Sequence, residues 1–319
     1  MKILVTPRSL TCGGHPALRR LEDAGYEVVF CTPGKLPDER ELLQLLPDCV
    51  GYLAGIEPIN EKILAAAPHL RVISRNGSGV DNVDLAAARR HEVSVCRADG
   101  ANARGVAELT LALMLALVRS VPFSDKGLKA GLWERREGIE LTGRTLGIVG
   151  CGRIGKLVAQ FAVALDMNVL AYDPFPDAAS RRPPRFRYSA LSELLERSEL
   201  VTLHCPPSTD HSALIDAKRL LAMKPGAYLV NTARAELLDE EAVLEALENG
   251  TLSGLATDVF REEPPRDLRL LRHSRVVSTP HIGGYTRESV GHAVEAAVDN
   301  LLAVLHASPK PQTLSEMNS

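Results

Sequence analysis

Short apolar runs recur along this chain, each followed by a segment whose apolar positions fall at helical spacing. In the first hundred residues, 2–6, 26–30, 50–54, 71–74 and 93–95 read as strands. Helices are expected between them at 16–24, ended by Gly25, and at 39–46, 60–66 and 84–90. This alternation predicts a mostly parallel sheet covered on both faces. A long helix follows at about 103–120, ended by Pro122. Leu109, Leu111, Leu113, Met114, Leu115, Leu117 and Val118 run round most of its circumference. Burial on every side is therefore expected, against a second domain or a second subunit.

The alternation resumes at Thr145. Strands are expected at 146–149, 169–172, 200–204, 227–231, 254–258 and 276–278. Helices lie between them, for instance at 239–248, stopped by Asn249-Gly250. Residues 181–185 (Arg-Arg-Pro-Pro-Arg) read as a solvated loop, and 286–306 as one long helix with Thr286 as its N-cap. The fold class is α/β, with two doubly wound parallel sheets.

Composition narrows the function classes. Of 319 residues, 45% are hydrophobic and 24% charged, which is material enough for two ordinary cores. A net charge of −3 gives no electrostatic case for a nucleic acid or an anionic membrane as partner. The six cysteines are scattered without a C-x-x-C, so neither a disulfide framework nor a zinc site is expected, and no metal is assigned. The most apolar stretch, 106–118, is interrupted by Glu108 and falls short of a bilayer span. The apolar run after Met1 is too short for a signal peptide, and a cytoplasmic protein is expected.

The strongest local signal follows the first strand of the second half. Gly150, Gly152 and Gly155 are spaced G-x-G-x-x-G, a helical segment follows, and the next strand ends in Asp173, 18 residues past Gly155. That is the order of a dinucleotide site. Gly150 permits the tight turn, Gly152 lets the backbone approach a pyrophosphate, and Gly155 lets helix and strand pack closely. The helix start offers free N–H groups and a positive dipole end, and Arg153 adds a charge. Asp173 would accept hydrogen bonds from a ribose diol and repel a 2′-phosphate, which favours NAD over NADP.

Three further segments carry candidate chemistry just past strand ends, where open α/β sheets build their binding crevice. Leu229-Val230-Asn231-Thr232-Ala233-Arg234 places an arginine able to grip a carboxylate with two parallel bonds. Asp258 through Pro265 places several acids in a loop stiffened by Pro264-Pro265. Thr279-Pro280-His281-Ile282-Gly283-Gly284 places a histidine, the commonest general acid–base. Alone, each of these residues is ordinary solvated surface. Their convergence on one sheet is what an active site needs.

Together with Gly77-Ser78-Gly79-Val80-Asp81-Asn82-Val83-Asp84, Val106-Ala107-Glu108-Leu109-Thr110 and Trp133-Glu134-Arg135, these segments resemble the D-2-hydroxyacid dehydrogenase family over nearly the whole chain. The likeness is greatest to its D-3-phosphoglycerate dehydrogenase branch. The resemblance implies a Rossmann NAD-binding domain, 99–285, inserted into a flavodoxin-like substrate domain made of 1–98 and 286–319. It implies an enzyme that moves hydride between NAD and C2 of a small 2-hydroxyacid, with 3-phosphoglycerate first and glyoxylate or hydroxypyruvate behind. It also admits another class, an NAD(H)-sensing corepressor-like protein of the same fold.

Residue by residue, the resemblance makes Arg234 the holder of the substrate carboxylate and carbonyl, Glu263 the acid that orients the histidine, and His281 the proton donor and acceptor. Asp258 matches the residue that binds the nicotinamide carboxamide. Arg153, Ile154, Asp173, Cys205, Thr232 and Ala233 match cofactor-contacting positions, and His204, Pro206, Gly283 and Gly284 are assigned with them. Ser78 and Gly79 match a loop whose N–H groups meet the substrate carboxylate. Arg75 matches an arginine that helps bind a substrate phosphate, and Arg135 or Arg136 is a second candidate for that contact. Ala235 departs from the family, which commonly has glycine there. A homodimer is expected, and the C-terminal regulatory domain of longer members is not.

Overall fold

A computed structural model describes residues 1–177, 184–210 and 212–307. Positions 181–183 of the expected charged loop, and 308–319 of the expected substrate domain, lie outside the described residues. The chain divides into two compact units, one of Met1–Asn102 with the segment from Thr286 onward, the other of Ala103–Tyr285.

Among the described residues, the first unit holds five parallel strands: β1 (Lys2–Val5), β2 (Glu27–Phe30), β3 (Cys49–Ala54), β4 (Val72–Arg75) and β5 (Ser94–Arg97). Their order is β2-β1-β3-β4-β5. Side chains alternate between two buried layers, as the strand period of two requires. Leu4, Tyr52, Ala54, Ile73 and Val95 enter one layer. Ile3, Val5, Leu53 and Val72 enter the other, where Val294, Ala297, Val298, Leu301 and Leu305 of the Arg287–His306 helix meet them. The Arg71 guanidinium closes that helix by donating to the carbonyls of Val304, Leu305 and Ala307 at 3.0–3.2 Å. A cation at a helix C-terminus satisfies both the orphan carbonyls and the dipole. Burial and capping thus bind the chain's two ends into one unit.

The second unit holds seven parallel strands among its described residues: β6 (Thr145–Val149), β7 (Asn168–Tyr172), β8 (Phe186–Tyr188), β9 (Leu200–Leu203), β10 (Ala227–Asn231), β11 (Leu252–Thr257) and β12 (Val276–Ser278). Their order is β12-β11-β10-β9-β6-β7-β8, so the chain reverses direction across the sheet between β6 and β9. Cores lie on both faces, one containing Leu146, Ile148, Val169 and Val230, the other Val149, Leu170, Val201 and Leu229.

Within the chain the Ala103–Val118 helix buries one side: Ala107, Leu113, Met114 and Leu117 face the core, whereas Arg104, Glu108, Ala112 and Leu115 are exposed. Pro122 does not simply end that helix. It occupies the first turn of a second one, Val121–Lys129, where proline's missing N–H costs nothing. The break between them is Ser120, in the left-handed region at φ +50°. The short edge strand β8 and the Arg8–Gly13 helix had no clear periodic signal.

Candidate active site

The register of the seven-stranded sheet sets one row of strand ends side by side. Ser278 pairs with Thr257, Thr257 with Asn231, Asn231 with Leu203, Leu203 with Val149, and Val149 with Tyr172. The next residue in each strand therefore falls on the same edge: Thr279, Asp258, Thr232, His204, Gly150 and Asp173. Nearly every candidate from the second half of the sequence stands on or just beyond this carboxyl edge, and the reversal between β6 and β9 is where such sheets bind ligands.

The glycine turn fits a pyrophosphate. Gly150 has φ +91°, and a Cβ there would sit 2.6 Å from the His204 carbonyl group. A Cβ on Gly155 would collide with the Gly150 carbonyl oxygen, whereas one on Gly152 would meet nothing within 4 Å. The turn is closed on its inner side and open on its outer side. Gly152 caps the Arg153–Ala164 helix, whose first N–H groups have no partner within the helix. Asp173 is fixed beside it, accepting the Cys151 N–H at 2.8 Å and the Phe175 N–H at 2.9 Å.

At the other end of the edge, His281 Nδ1 lies 2.9 Å from both carboxylate oxygens of Glu263. Both side chains remain open to solvent. A Glu263 carboxylate can only accept, so the ring presents Nδ1–H to it and leaves Nε2 for a reacting proton. His281 is one of the few non-glycine residues with positive φ, +51°. Arg234 follows β10 at the head of a 3-10 turn, Ala235–Leu237, in which Ala235 is buried. Its Nη1 donates to the Ala233 carbonyl at 2.7 Å.

Two positions to which the sequence alone assigned no role complete the edge. Fully buried Asn231 accepts the Ala233 N–H at 3.0 Å and donates to the Arg234 carbonyl at 2.8 Å, which shapes the arginine loop. Thr279 donates its hydroxyl to Asp258. The available signal was the same for both: a polar residue at the end of an otherwise apolar strand.

Burial dominates the electrostatics. The His204 imidazole, with its Nδ1 shut off from solvent and unpartnered and its Nε2 3.0 Å from Thr202 Oγ1, is pushed down to about 3. Burial drives the Cys205 thiol up to about 11, with the Asp173 charge acting in the same direction. Neither is a reactive acid–base at neutral pH.

Arg75, Ser78 and Gly79 belong to the first unit. Arg75 ends β4, is 6% exposed, and donates to the Gly79 carbonyl at 3.1 Å and the Ala54 carbonyl at 3.1 Å. It therefore braces the Ser78–Gly79 loop. Arg136 stacks on the Phe123 ring at 3.3 Å and donates to the Ser274 carbonyl at 2.9 Å. Among the described residues no group of three or more His, Cys, Asp and Glu side chains could hold a metal ion, and no single helix is long and apolar enough to cross a membrane.

Residues 111–283 match the model of the D-isomer specific 2-hydroxyacid dehydrogenase NAD-binding domain. The chain belongs to the D-isomer-specific 2-hydroxyacid dehydrogenase family. Its second unit carries an NAD-binding domain of that family. A D-3-phosphoglycerate dehydrogenase of Methanocaldococcus jannaschii is 38% identical over 295 residues, which are 91% of this chain and 55% of that protein. The chain spans about half the length of the phosphoglycerate dehydrogenases it matches. The TT0316 protein of Thermus thermophilus is 38% identical, with a TM-score of 0.86 over 98% of this chain and 99% of that one. The D-lactate dehydrogenase of Aquifex aeolicus, solved with NAD and lactic acid, is 27% identical, with a TM-score of 0.78 over 95% of each chain. These relatives support the two-sheet α/β architecture as that of the family.

Proposed function

We propose that the protein is an NAD-dependent oxidoreductase acting at C2 of a small 2-hydroxyacid or 2-oxoacid. The observation that carries this reading is the His281–Glu263 pair on the carboxyl edge of an NAD-binding sheet. Bound NAD supplies the hydride acceptor, and NADH the donor. Oxidation needs a base for the hydroxyl proton, and His281 Nε2 takes it. Reduction needs an acid for the carbonyl oxygen, and the same atom returns the proton. Glu263 fixes the tautomer by accepting the Nδ1–H. Arg234 grips the substrate carboxylate and offsets charge that develops on the C2 oxygen. Asp173 accepts the ribose hydroxyls and favours NAD over NADP.

Among substrates, 3-phosphoglycerate comes first on the identity to phosphoglycerate dehydrogenases, with glyoxylate, hydroxypyruvate and lactate-like acids behind it. A homodimer is the expected assembly. Val121, Leu128, Leu132 and Trp133 are each at least half exposed, an apolar group that a second copy would cover.

The test is steady-state NADH oxidation with 3-phosphohydroxypyruvate, hydroxypyruvate, glyoxylate and pyruvate, run beside NADPH. Turnover of at least one acid with NADH, and less with NADPH, is expected. NADH binding without turnover of any would replace the enzyme by an NAD(H)-sensing protein.

A further inference from the structure

Asp258 is 1% exposed at the end of β11, and its carboxylate is almost fully engaged. Oδ1 accepts the Thr279 hydroxyl at 2.6 Å and the Ile282 N–H at 2.8 Å, and Oδ2 accepts the Gly283 N–H at 2.8 Å. A carboxylate offers about four lone-pair sites, so three are used and one is left for a cofactor amide. The three donors lie on both sides of His281 in sequence. The 279–283 segment is wrapped round one buried charge, with His281 at its crest in the left-handed region.

We propose that Thr279 and Asp258 form a strap that positions His281. Left-handed backbone is unfavourable for a histidine and persists only where its surroundings over-determine it. No bond within the segment does so alone: the His281 N–H reaches only the Thr279 carbonyl, at 3.0 Å. The strap supplies the missing constraint by fixing the residue two before His281 through a side chain and the two after it through their N–H groups. The ring is thereby aimed so that Nδ1 meets Glu263 and Nε2 stays free. A collar of Val106 and Asp258 within 3.2 Å of any Cβ on Gly283 closes the segment from below. Thr279 touches neither substrate nor cofactor in this account; it is a positioning residue. The inference rests on the reading of His281 as the acid–base.

The test compares Thr279→Val, Thr279→Ala, Thr279→Ser and His281→Gln with the wild type. Loss of the hydroxyl in Thr279→Val or Thr279→Ala is expected to lower kcat roughly tenfold or more, because small misplacements of a catalytic group are costly. KM and the NADH Kd, read by fluorescence, stay within about twofold. Thr279→Ser, which keeps the donor, recovers most of the rate. Crystals of Thr279→Val should show His281 Nδ1 outside hydrogen-bonding reach of Glu263. Wild-type kcat in both hydroxyl-free variants, with His281→Gln inactive, overturns the strap and leaves the acid–base reading intact. Wild-type turnover in His281→Gln removes that reading and the strap with it.

Discussion

The Asp173 carboxylate accepts the Cys151 N–H at 2.8 Å, so the acid ending β7 is fastened to the glycine turn ending β6. The same group that would select the ribose also holds the cradle for the pyrophosphate. Asp173→Ala should therefore weaken NADH binding by roughly tenfold, the scale of a lost charge-assisted hydrogen bond. It should also narrow the gap between NADH and NADPH. Fluorescence titration with both cofactors checks this, and an unchanged preference would exclude Asp173 as the selector.

Gly155 tests the cradle from its helix side. A methyl group there collides with the Gly150 carbonyl oxygen, which is backbone and cannot swing aside. Gly155→Ala should destabilise the second unit by about 1–3 kcal/mol and abolish measurable NADH affinity. Thermal melting and titration of the same sample read both effects.

Arg75 is bound inward to the Gly79 and Ala54 carbonyls, and its removal takes a charge-assisted hydrogen bond from each, while Ala54 keeps the Asn76 N–H at 2.9 Å. Arg75→Ala should cost about 1.5–3 kcal/mol in the stability of the first unit, with NADH affinity unchanged. Lysine cannot reproduce two divergent donors, so Arg75→Lys should rescue little. Urea denaturation with NADH titration checks it.

His204 gives a pH signature. Its folded value is pushed down to about 3 by burial, while an unfolded histidine titrates near 6.5. The unfolded chain therefore binds the extra proton between these values. The stabilising contribution is complete above about 6.5 and falls as pH drops towards 3, by at most about 1.4 kcal/mol per pH unit. Melting temperatures from pH 7 to pH 5 should fall more steeply in the wild type than in His204→Gln.

The regular part of this architecture was legible because each strand is an apolar run and each turn a glycine, proline or capping residue. Asp38, Asn60, Asp84 and Asp239 each accept an N–H three residues on, at or next to the helix starts expected at 39, 60, 84 and 239. Gly150, Gly152 and Gly155 announced themselves through spacing. Asn231, Thr279 and the inward turn of Arg75 did not, since a polar residue's role depends on which strands end beside it. That adjacency is a property of sheet order, and β11 meets β10 through one crossover and β12 through the next.

In the proposed reaction His281 carries the proton. The most direct measurement is the turnover of His281→Gln with NADH and the best 2-oxoacid, alongside its NADH Kd. Glutamine keeps polarity and size but cannot exchange a proton, so kcat should fall by about 10²–10⁴ while the Kd stays near that of the wild type. Turnover close to the wild type would contradict the account.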